Sequence, residues 1–528
     1  MSAGLGSVPT AQTYLDVSQG NRVFDSLYDA ELPRDVGGGI CGPAYSAAVI
    51  QRAESAPAEI VPGLLAATLA EHGEHCTVRS ASLDRLGRLV RGLRGNDLLV
   101  AIGRPPPPEN HALAIGIAGR GFDGDLTSDS TRTDGYVLST DVAPTILGRL
   151  GIAVPSQVSG QAIRSEGAAP DVAGIEALGK RMSVISSRRG PVIGISLLAW
   201  IVVFGLAALV GARRVEGVAV RLLGLSIIYL PLLLLAGAAL EGGQEAEQLL
   251  VMFGAPLLAA ATLFVLGGLR ALAVTSGVVV LAYAIDVIAG SPLVSLSLLG
   301  PNPGLGVRFY GIGNELEALL GVLVVAGTGA SLAAFTKLAG RAAAAVFLVT
   351  ALALAAIFAA GRFGADVGAA IVLPAGGAVA AAAIAGSRRG GVLLAIAAPL
   401  AVLALVALAD LASGANAHLT RSVLDAGGLG DLADVAQRRL QLSAHSFVRP
   451  VVLFFLPFVA AAAVVAYLRR DRIDAWLRPF PALRAGLAGA VAATVIGTLA
   501  NDSGALLLEI GTAYLLVFLG YTWSERSA

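Results

Sequence analysis

The chain has 528 residues, of which 55% are hydrophobic and 14% are charged, and its 37 lysines and arginines balance its 37 aspartates and glutamates. A soluble globular domain carries about 25% charged residues, so this composition excludes a single soluble globule and predicts a polytopic membrane protein. The zero net charge lacks the basic excess of a nucleic-acid-binding protein, and we expect no nucleic-acid partner.

Residues 1–165 have a mixed, turn-rich sequence that differs from the apolar remainder of the chain. Short apolar runs bounded by turn residues predict strands, and amphipathic segments between turns predict helices. The predicted elements are, in chain order, helices near 42–55, 61–72 and 82–94 and strands near 96–102, 111–118 and 135–139. This alternation predicts a soluble α/β domain over residues 1–165.

The end of this domain carries a helix signal, with Asp141 placed to cap a helix that Gly151 ends. The motif around it reads Thr140-Asp-Val-Ala-Pro-Thr-Ile-Leu, then Leu150-Gly-Ile, Pro155 and Gly160, and it follows Leu126-Thr-Ser-Asp-Ser-Thr-Arg-Thr-Asp-Gly135. These segments resemble the closing strand and helix of the alkaline phosphatase and sulfatase superfamily, in the form found in actinobacterial membrane proteins. The resemblance covers about residues 12–165 and implies an alkaline-phosphatase-like fold.

The resemblance fails where the superfamily carries its catalytic residues. The early strand with an Asp-Gly pair and a nucleophilic Ser or Thr is absent, and Gly103-Arg-Pro-Pro stands in place of a metal-binding Asp-His pair. A two-metal phosphate site needs several converging Asp and His ligands, whereas this segment has only His72, His75 and His111. We therefore expect a degenerate, N-terminally incomplete domain without a metal, and the sequence specifies no cofactor.

The only cysteines of the chain, Cys41 and Cys76, both lie in this domain. Their spacing is compatible with a disulfide or with two buried thiols, and the sequence leaves both open.

Met1 is followed by neither a basic start nor an apolar run, so no signal peptide is visible. Either a preceding segment is missing or the first span exports the domain, and the incomplete resemblance favours a missing start.

Residues 166–191 are predicted to be a linker, and residues 192–528 a transmembrane helical domain. Apolar stretches of about twenty residues recur there, each long enough to cross the hydrocarbon core as a helix. The eleven predicted spans are 192–212, 219–240, 248–269, 271–290, 314–335, 341–361, 363–386, 391–412, 449–468, 480–499 and 504–523. The predicted fold is thus an α-helical polytopic bundle preceded by the α/β domain.

Lysine and arginine are enriched in one alternate set of the connections between spans, including residues 213–221, 337–341 and 469–484. Such loops are typically cytoplasmic. The sequence therefore predicts a multi-pass protein of a bacterial plasma membrane, with its N-terminal domain outside the cytoplasm and its C-terminus inside.

Four polar clusters interrupt the apolar domain, and each falls in the other, outer set of connections. The clusters are Arg308-Phe-Tyr-Gly-Ile-Gly-Asn-Glu315, Gly361-Arg-Phe-Gly-Ala-Asp366, Gln437-Arg-Arg with His445 and Arg449, and Asn501-Asp-Ser-Gly504. Charged groups near a bilayer core cost about 2.5 to 3.5 kcal/mol each, so their grouping predicts a common polar site.

The first cluster follows a segment with Pro292, Pro301 and Pro303, which excludes a regular helix. Arg308 offers a planar donor suited to phosphate, and Tyr310 offers a hydroxyl donor. Asn314, Glu315 and Glu317 open the following helix. We expect Arg308, Tyr310 and Asn314 to bind a polar headgroup, and Glu315 is a candidate general base.

The other clusters each have a functional and a structural interpretation. Arg362 with Asp366 is either a phosphate ligand with a base or a buried ion pair. Asn501 and Asp502 are either headgroup ligands or, with Ser503, caps of the last helix. His445 and Arg449 are predicted headgroup ligands on one helix face, and Asp286, Asp410 and Glu509 are predicted to face the bundle interior.

The leading hypothesis is a cell-envelope protein that binds a phosphate-bearing lipid or a lipid-linked glycan and processes or transfers it. A second hypothesis is a secondary transporter in which Asp286, Asp366 and Glu509 carry ions or protons. A third is a non-catalytic receptor or assembly platform. The sequence does not decide whether the protein is an enzyme.

Overall fold

The computed structural model describes residues 1–42, 44–95, 97–103, 111–211, 213–240, 242–412, 440–441 and 443–525. These residues divide into two compact units. The first comprises Met1–Ile185 and Asn302–Phe309, and the second comprises Ser186–Pro301 and Tyr310–Ala528. The second unit contains the apolar spans and most of the predicted site residues.

The first unit contains five complete α-helices, the first part of a sixth, and two separate two-stranded antiparallel sheets among its described residues. The helices are α1 (Thr10–Gln19), α2 (Ala47–Glu54), α3 (Leu64–Glu71), α4 (Leu83–Gly92) and α5 (Val142–Arg149). In the first sheet β1 (Leu99–Ile102) pairs with β2 (Ile115–Ala118), and in the second β3 (Asp125–Thr127) pairs with β4 (Arg164–Glu166). Along this unit α1 to α4 come before β1, β2 and β3, and α5 then lies between β3 and β4 in the sequence, so the predicted α/β alternation is not confirmed.

The third predicted strand, at residues 135–139, is wrong. These residues make isolated bridges, Leu138 to Ser2 and Tyr136 to Thr133, and Ser139 begins a 3₁₀ turn. The cause is Asp141, whose carboxylate accepts hydrogen bonds from the Leu138 amide (2.9 Å) and the Ser128 hydroxyl (2.6 Å). Asp141 stands at the start of α5 as predicted, but its side chain ties loops together instead of capping the helix.

A group of buried hydrogen bonds surrounds Asp16 in α1, whose side chain is 1% exposed. Its Oδ1 accepts hydrogen bonds from Gln12 Nε2 (2.8 Å) and Gln19 Nε2 (3.4 Å), and Gln12 in turn accepts one from Arg52 (3.1 Å). Burial raises the pKa of the Asp16 carboxyl to about 7, because removal from water disfavours the charged form more than Gln12, Arg22 and Arg52 favour it.

Cys41 and Cys76 form a disulfide, with their Cα atoms 5.7 Å apart. This decides between the two alternatives that the sequence left open. The bond closes a loop with a sequence separation of 35. Closing a loop of that length is worth about 3 to 4 kcal/mol in the chain-entropy model, so the bond contributes to the stability of the first unit.

The second unit is helical, and all eleven predicted spans coincide with helices. Helix α6 (Val172–Arg189) contains the boundary between the units and runs through a π-helical turn at Gly190–Ile195 into α7 (Ser196–Val210). The helices that follow are α8 (Arg213–Leu240), α9 (Gln244–Leu266), α10 (Gly268–Ile288), α11 (Asn314–Phe335), α12 (Gly340–Ala359), α13 (Val367–Ala385), α14 (Arg388–Ala412), α15 (Pro450–Leu468), α16 (Arg470–Leu477), α17 (Pro481–Ala500) and α18 (Gly504–Ser524).

Ten helices within the described residues are long and apolar enough to cross a membrane. The prediction of a polytopic helical bundle is therefore confirmed. The eighth predicted span lies in α14, whose apolar core Leu393–Leu405 is shorter. The predicted linker is helical from Val172 onward and continues without a break into the first span.

Helices α11, α13 and α17 pack closely because glycine lies at their contacts. A Cβ on Gly489 of α17 would overlap the Gly376 carbonyl oxygen of α13 and come within 2.8 Å of Val325 in α11. A Cβ on Gly329 of α11 would approach the Ala482 carbonyl oxygen of α17 to 2.7 Å. Small residues at such positions let helix backbones approach closely in a membrane, where apolar burial gives no driving force.

Candidate functional site

The segment between α10 and α11 has irregular backbone, as its prolines predicted. Asp286, at the end of α10, accepts hydrogen bonds from the amides of Leu293 (3.0 Å) and Val294 (2.8 Å). Ser291 Oγ accepts a hydrogen bond from the Gly311 amide at 2.9 Å. Asp286 thus holds the start of this segment, and the prediction that it carries an ion inside the bundle has no support in these contacts.

The first polar cluster contacts the second through backbone. The Ile312 amide donates to the Gly364 carbonyl oxygen at 3.2 Å, and a Cβ on Gly311 would overlap that same oxygen. Gly311 also has φ +77°, a conformation that side-chain-bearing residues rarely adopt. Glycine at 311 is what allows the segment before α11 to approach the segment before α13, and glycine at 364 allows that second segment to pack against Phe358 at the end of α12.

The first cluster contacts the fourth through side chains. Asn501 Nδ2 donates to Glu317 Oε2 at 2.6 Å and to Asn314 Oδ1 at 3.3 Å, and Asn314 Nδ2 donates to Asp502 Oδ1 at 3.1 Å. The Glu317 carboxylate is 2% exposed and lies against Gly368, where a Cβ would overlap both of its oxygens. We call Asn314, Glu317, Asn501 and Asp502 the polar network.

The segment of the third cluster contacts the end of α17 and the start of α18, on either side of the fourth cluster in the sequence. Ser443 Oγ donates to the Thr498 carbonyl oxygen (2.7 Å), and Ser446 Oγ accepts from the Ala505 amide (3.0 Å), so Ser446 caps α18 from a different segment. Between and after these serines, His445 and Arg449 are exposed. The residues Gln437 to Arg439 of this cluster lie outside the described residues.

Two sequence interpretations change in the structure. Asp366 is the cap of α13, because its Oδ2 accepts a hydrogen bond from the Ala369 amide at 3.1 Å. The structural alternative for the fourth cluster holds in part, because Asn501 Oδ1 accepts a hydrogen bond from the Ser503 amide at 3.0 Å directly before α18, whereas Ser503 makes no side-chain capping bond. The Asn501 Nδ2 and the Asp502 carboxylate bond instead to α11.

The candidate base Glu315 is held in an ion pair. Arg189 Nη1 lies 3.2 Å from Glu315 Oε1, and Arg189 Nη2 donates to the Gly300 carbonyl oxygen at 2.8 Å. Its neighbour Arg188 pairs with the buried Glu247 at 3.0 Å. Neither arginine was identified from the sequence as a site residue, because both were interpreted as the polar end of a linker. The signal that could have identified them was the pair of adjacent arginines immediately before an apolar span.

The predicted phosphate ligands fall in different places. Arg308 belongs to the first unit and is partly buried, whereas Tyr310, also partly buried, belongs to the second. Arg362 is exposed in the turn between α12 and α13, with its guanidinium 5.9 Å from the Phe363 ring centre. In the second unit, the exposed Arg362 lies before α13, whose Gly368 lies against Glu317, and the exposed His445 and Arg449 lie before α15.

Glu509 is the deeper predicted carboxylate for which the structure gives no structural partner. Its Oε1 is buried and makes no hydrogen bond with the described residues. It lies on α18, two turns beyond Asn501 and Asp502. The side chain of Asp410 lies outside the described residues.

Among the residues that the structure describes, no group of three or more His, Cys, Asp and Glu side chains is arranged to hold a metal ion. No protein-family model, curated protein or solved structure matches the chain. The residues of the site offer a buried carboxylate fixed by an amide, with cationic and hydroxyl-bearing side chains on the segments around it.

Proposed function

We propose that this is a bacterial cell-envelope protein whose polar network binds the headgroup of a phosphate-bearing lipid or lipid-linked glycan and processes or transfers it. The observation that carries the proposal is the buried Glu317 carboxylate, hydrogen-bonded to Asn501 at the end of an apolar helical bundle. Ionisable side chains at such positions are costly and typically functional.

In this proposal Arg362, Arg449 and His445 hold the phosphate, because guanidinium groups bind phosphate oxygens in a bidentate manner. Arg308 and Tyr310 remain candidate headgroup ligands. Glu317 replaces Glu315 and Asp366 as the general base, since Glu315 is paired with Arg189 and Asp366 caps a helix. Asn501 orients the carboxylate and, with Asn314 and Asp502, contacts the glycan or headgroup hydroxyls.

We further propose that the first unit is a degenerate alkaline-phosphatase-like domain outside the cytoplasm, with the C-terminus inside. The disulfide between Cys41 and Cys76 supports an oxidising compartment for this unit. The domain would then present or recognise envelope components without hydrolysing them.

A secondary transporter is the second candidate, and one observation favours it. The buried, unbonded Oε1 of Glu509 on α18 has the character of a proton or ion carrier in a membrane bundle. Asp286 and Asp366 no longer support this candidate, because both accept helix-end or loop amides. Uptake of a labelled solute into proteoliposomes, abolished by Glu509→Gln, would favour transport over lipid processing.

Replacing both Arg362 and Arg449 by glutamine is expected to weaken binding of a polyprenyl phosphate about fivefold per arginine, since each cation near an anionic group contributes about 1 kcal/mol. Native mass spectrometry of the detergent-solubilised protein, titrated with polyprenyl phosphate and with the uncharged polyprenol, measures this. The matched control is Arg270→Gln with Arg341→Gln, two exposed arginines at the starts of α10 and α12. Equal loss in the control pair, or equal binding of the polyprenol, would contradict the phosphate site.

Glu317→Gln is expected to keep the hydrogen bond to Asn501 and the lipid affinity but to lower conversion of bound lipid about a hundredfold, the usual contribution of a general base. The purified protein would be incubated with lipid extracted from the host envelope, and products followed by mass spectrometry. Asp366→Asn, which retains an acceptor for the Ala369 amide, is the comparison. Wild-type turnover in Glu317→Gln would exclude the base, and absence of any bound lipid in the wild type would favour an assembly platform.

A further inference from the structure

A groove runs along the outside of the second unit, away from the polar network. Its volume is about 490 Å³, and it lies between α15, α16, α17 and α18. Its walls are apolar, with Val459, Ala466, Leu487, Val491 and Leu515 among the lining residues. Because α15, α17 and α18 are apolar enough to span a membrane, we expect this groove to face lipid chains.

Helix α15 packs loosely on this side. Of its residues, all of which the structure describes, Val452 alone is buried. On the facing helices, Val491, Val495 and Leu516 line the groove while remaining 49%, 48% and 46% exposed. An apolar trough with exposed walls between spanning helices has the shape and chemistry that an acyl chain fills.

The groove ends at charged side chains. Arg470, Asp474 and Arg484 line its mouth, and Arg484 Nη2 lies 2.6 Å from Asp474 Oδ1. Arg470 lies with its guanidinium 4.6 Å from the Tyr467 ring centre. Residues 469–484 carry five arginines and two aspartates, an excess of three positive charges. Clusters of basic residues next to a spanning helix attract anionic lipid headgroups.

We infer that this groove is a binding site for an anionic membrane phospholipid, whose acyl chain fills the trough and whose phosphate is held by Arg470 and Arg484. The site is independent of the proposed function, because Arg470 and Arg484 lie in α16 and at the start of α17, at the opposite end of α15 from His445 and Arg449. Asp474 limits its affinity by competing for Arg484.

A second groove in the same unit provides an internal comparison. Its volume is about 360 Å³, and α10, α11 and α12 line it with apolar and hydroxyl-bearing side chains such as Val280, Leu323, Thr328 and Ser331. None of its described lining residues is charged. It should accept acyl chains without regard to the headgroup.

The test reconstitutes the full chain in phosphatidylcholine nanodiscs that contain a small share of phosphatidylglycerol with a photoreactive acyl chain. A parallel sample carries the same photoreactive chain on phosphatidylcholine, and peptide mass spectrometry locates the crosslinks. We expect crosslinks to Val459–Ala466 and to 487–495 to be several-fold stronger with phosphatidylglycerol. Crosslinks to the second groove should not depend on the headgroup.

Arg470→Gln with Arg484→Gln should lower the phosphatidylglycerol crosslinks about fivefold per arginine, toward the phosphatidylcholine level. Arg472→Gln, an exposed arginine that does not line the groove, is the matched control. Asp474→Asn releases Arg484 and should raise the signal, which tests the site even if the double variant folds poorly. Equal labelling by both headgroups, or a decrease in Asp474→Asn, would overturn the inference.

Discussion

Gly489→Val is expected to prevent the second unit from folding. A Cβ at this position already overlaps the Gly376 carbonyl oxygen and approaches Ala380 and Val325 to 2.8 Å each, and valine adds two methyl groups. The obstructing atoms include backbone of α13, which cannot rotate away as a side chain can. Overpacking of this kind costs about 1 to 3 kcal/mol where side chains can adjust, and we expect more here.

The measurement is the yield of monodisperse protein on size-exclusion chromatography in mild detergent, followed by thermal unfolding of whatever elutes. Gly205→Val on α7 is the matched control, because a Cβ there meets nothing within 4 Å. It changes the same residue type within an apolar helix and should elute as the wild type does. A well-folded Gly489→Val would mean that α13 and α17 do not pack through these glycines.

Asp16→Asn is expected to stabilise the first unit at neutral and alkaline pH by about 4 kcal/mol and to remove a pH dependence. The folded-state pKa of Asp16 is about 7, above its ordinary value of 3.8, so the folded state binds the proton more tightly. The unfolded chain then binds fewer protons between these values, and stability falls as pH rises from about 4 to about 7. A shift of about three pKa units corresponds to about 4 kcal/mol.

Asparagine has nearly the same shape as aspartate. Its Oδ1 can still accept the hydrogen bonds from Gln12 Nε2 and Gln19 Nε2. Urea unfolding of the full chain, monitored by proteolytic cleavage within residues 1–165, would be compared at about pH 5 and about pH 8. Asp134→Asn, at an exposed position, is the control that should keep the wild-type slope. A wild-type protein whose first unit gains stability as pH rises across this range would contradict the buried, proton-binding Asp16.

The importance of Gly489 and Asp16 is not visible in the sequence. Neither was singled out there, because a glycine in an apolar helix and an aspartate in an amphipathic one are both common. Their importance depends on neighbours distant in the chain, Gly376 and Val325 for one and Arg52 for the other. Periodicity describes which residues share a helix face but not what that face meets.

The candidate site shows the same division. The four clusters were found from hydropathy and charge, and the first contacts the second and the fourth at the starts of α11, α13 and α18. Next to His445 of the third cluster, Ser443 and Ser446 bond to the end of α17 and the start of α18. The choice among carboxylates was not predictable. Glu315 and Glu317 are two residues apart and so point about 200° apart around the helix, one toward Arg189 and the other toward Asn501.

The sequence by itself determined that the chain forms a polytopic helical bundle, where its spans lie, and which segments supply the polar groups. It could do so because a run of about twenty apolar residues must form a helix in lipid, whatever its neighbours are. Only the tertiary structure decided that Asp286 and Asp366 serve loop and helix ends, that Glu315 pairs with Arg189, and that Glu317 is buried. Those outcomes depend on hydrogen bonds and close backbone contacts between distant segments, which local composition does not specify.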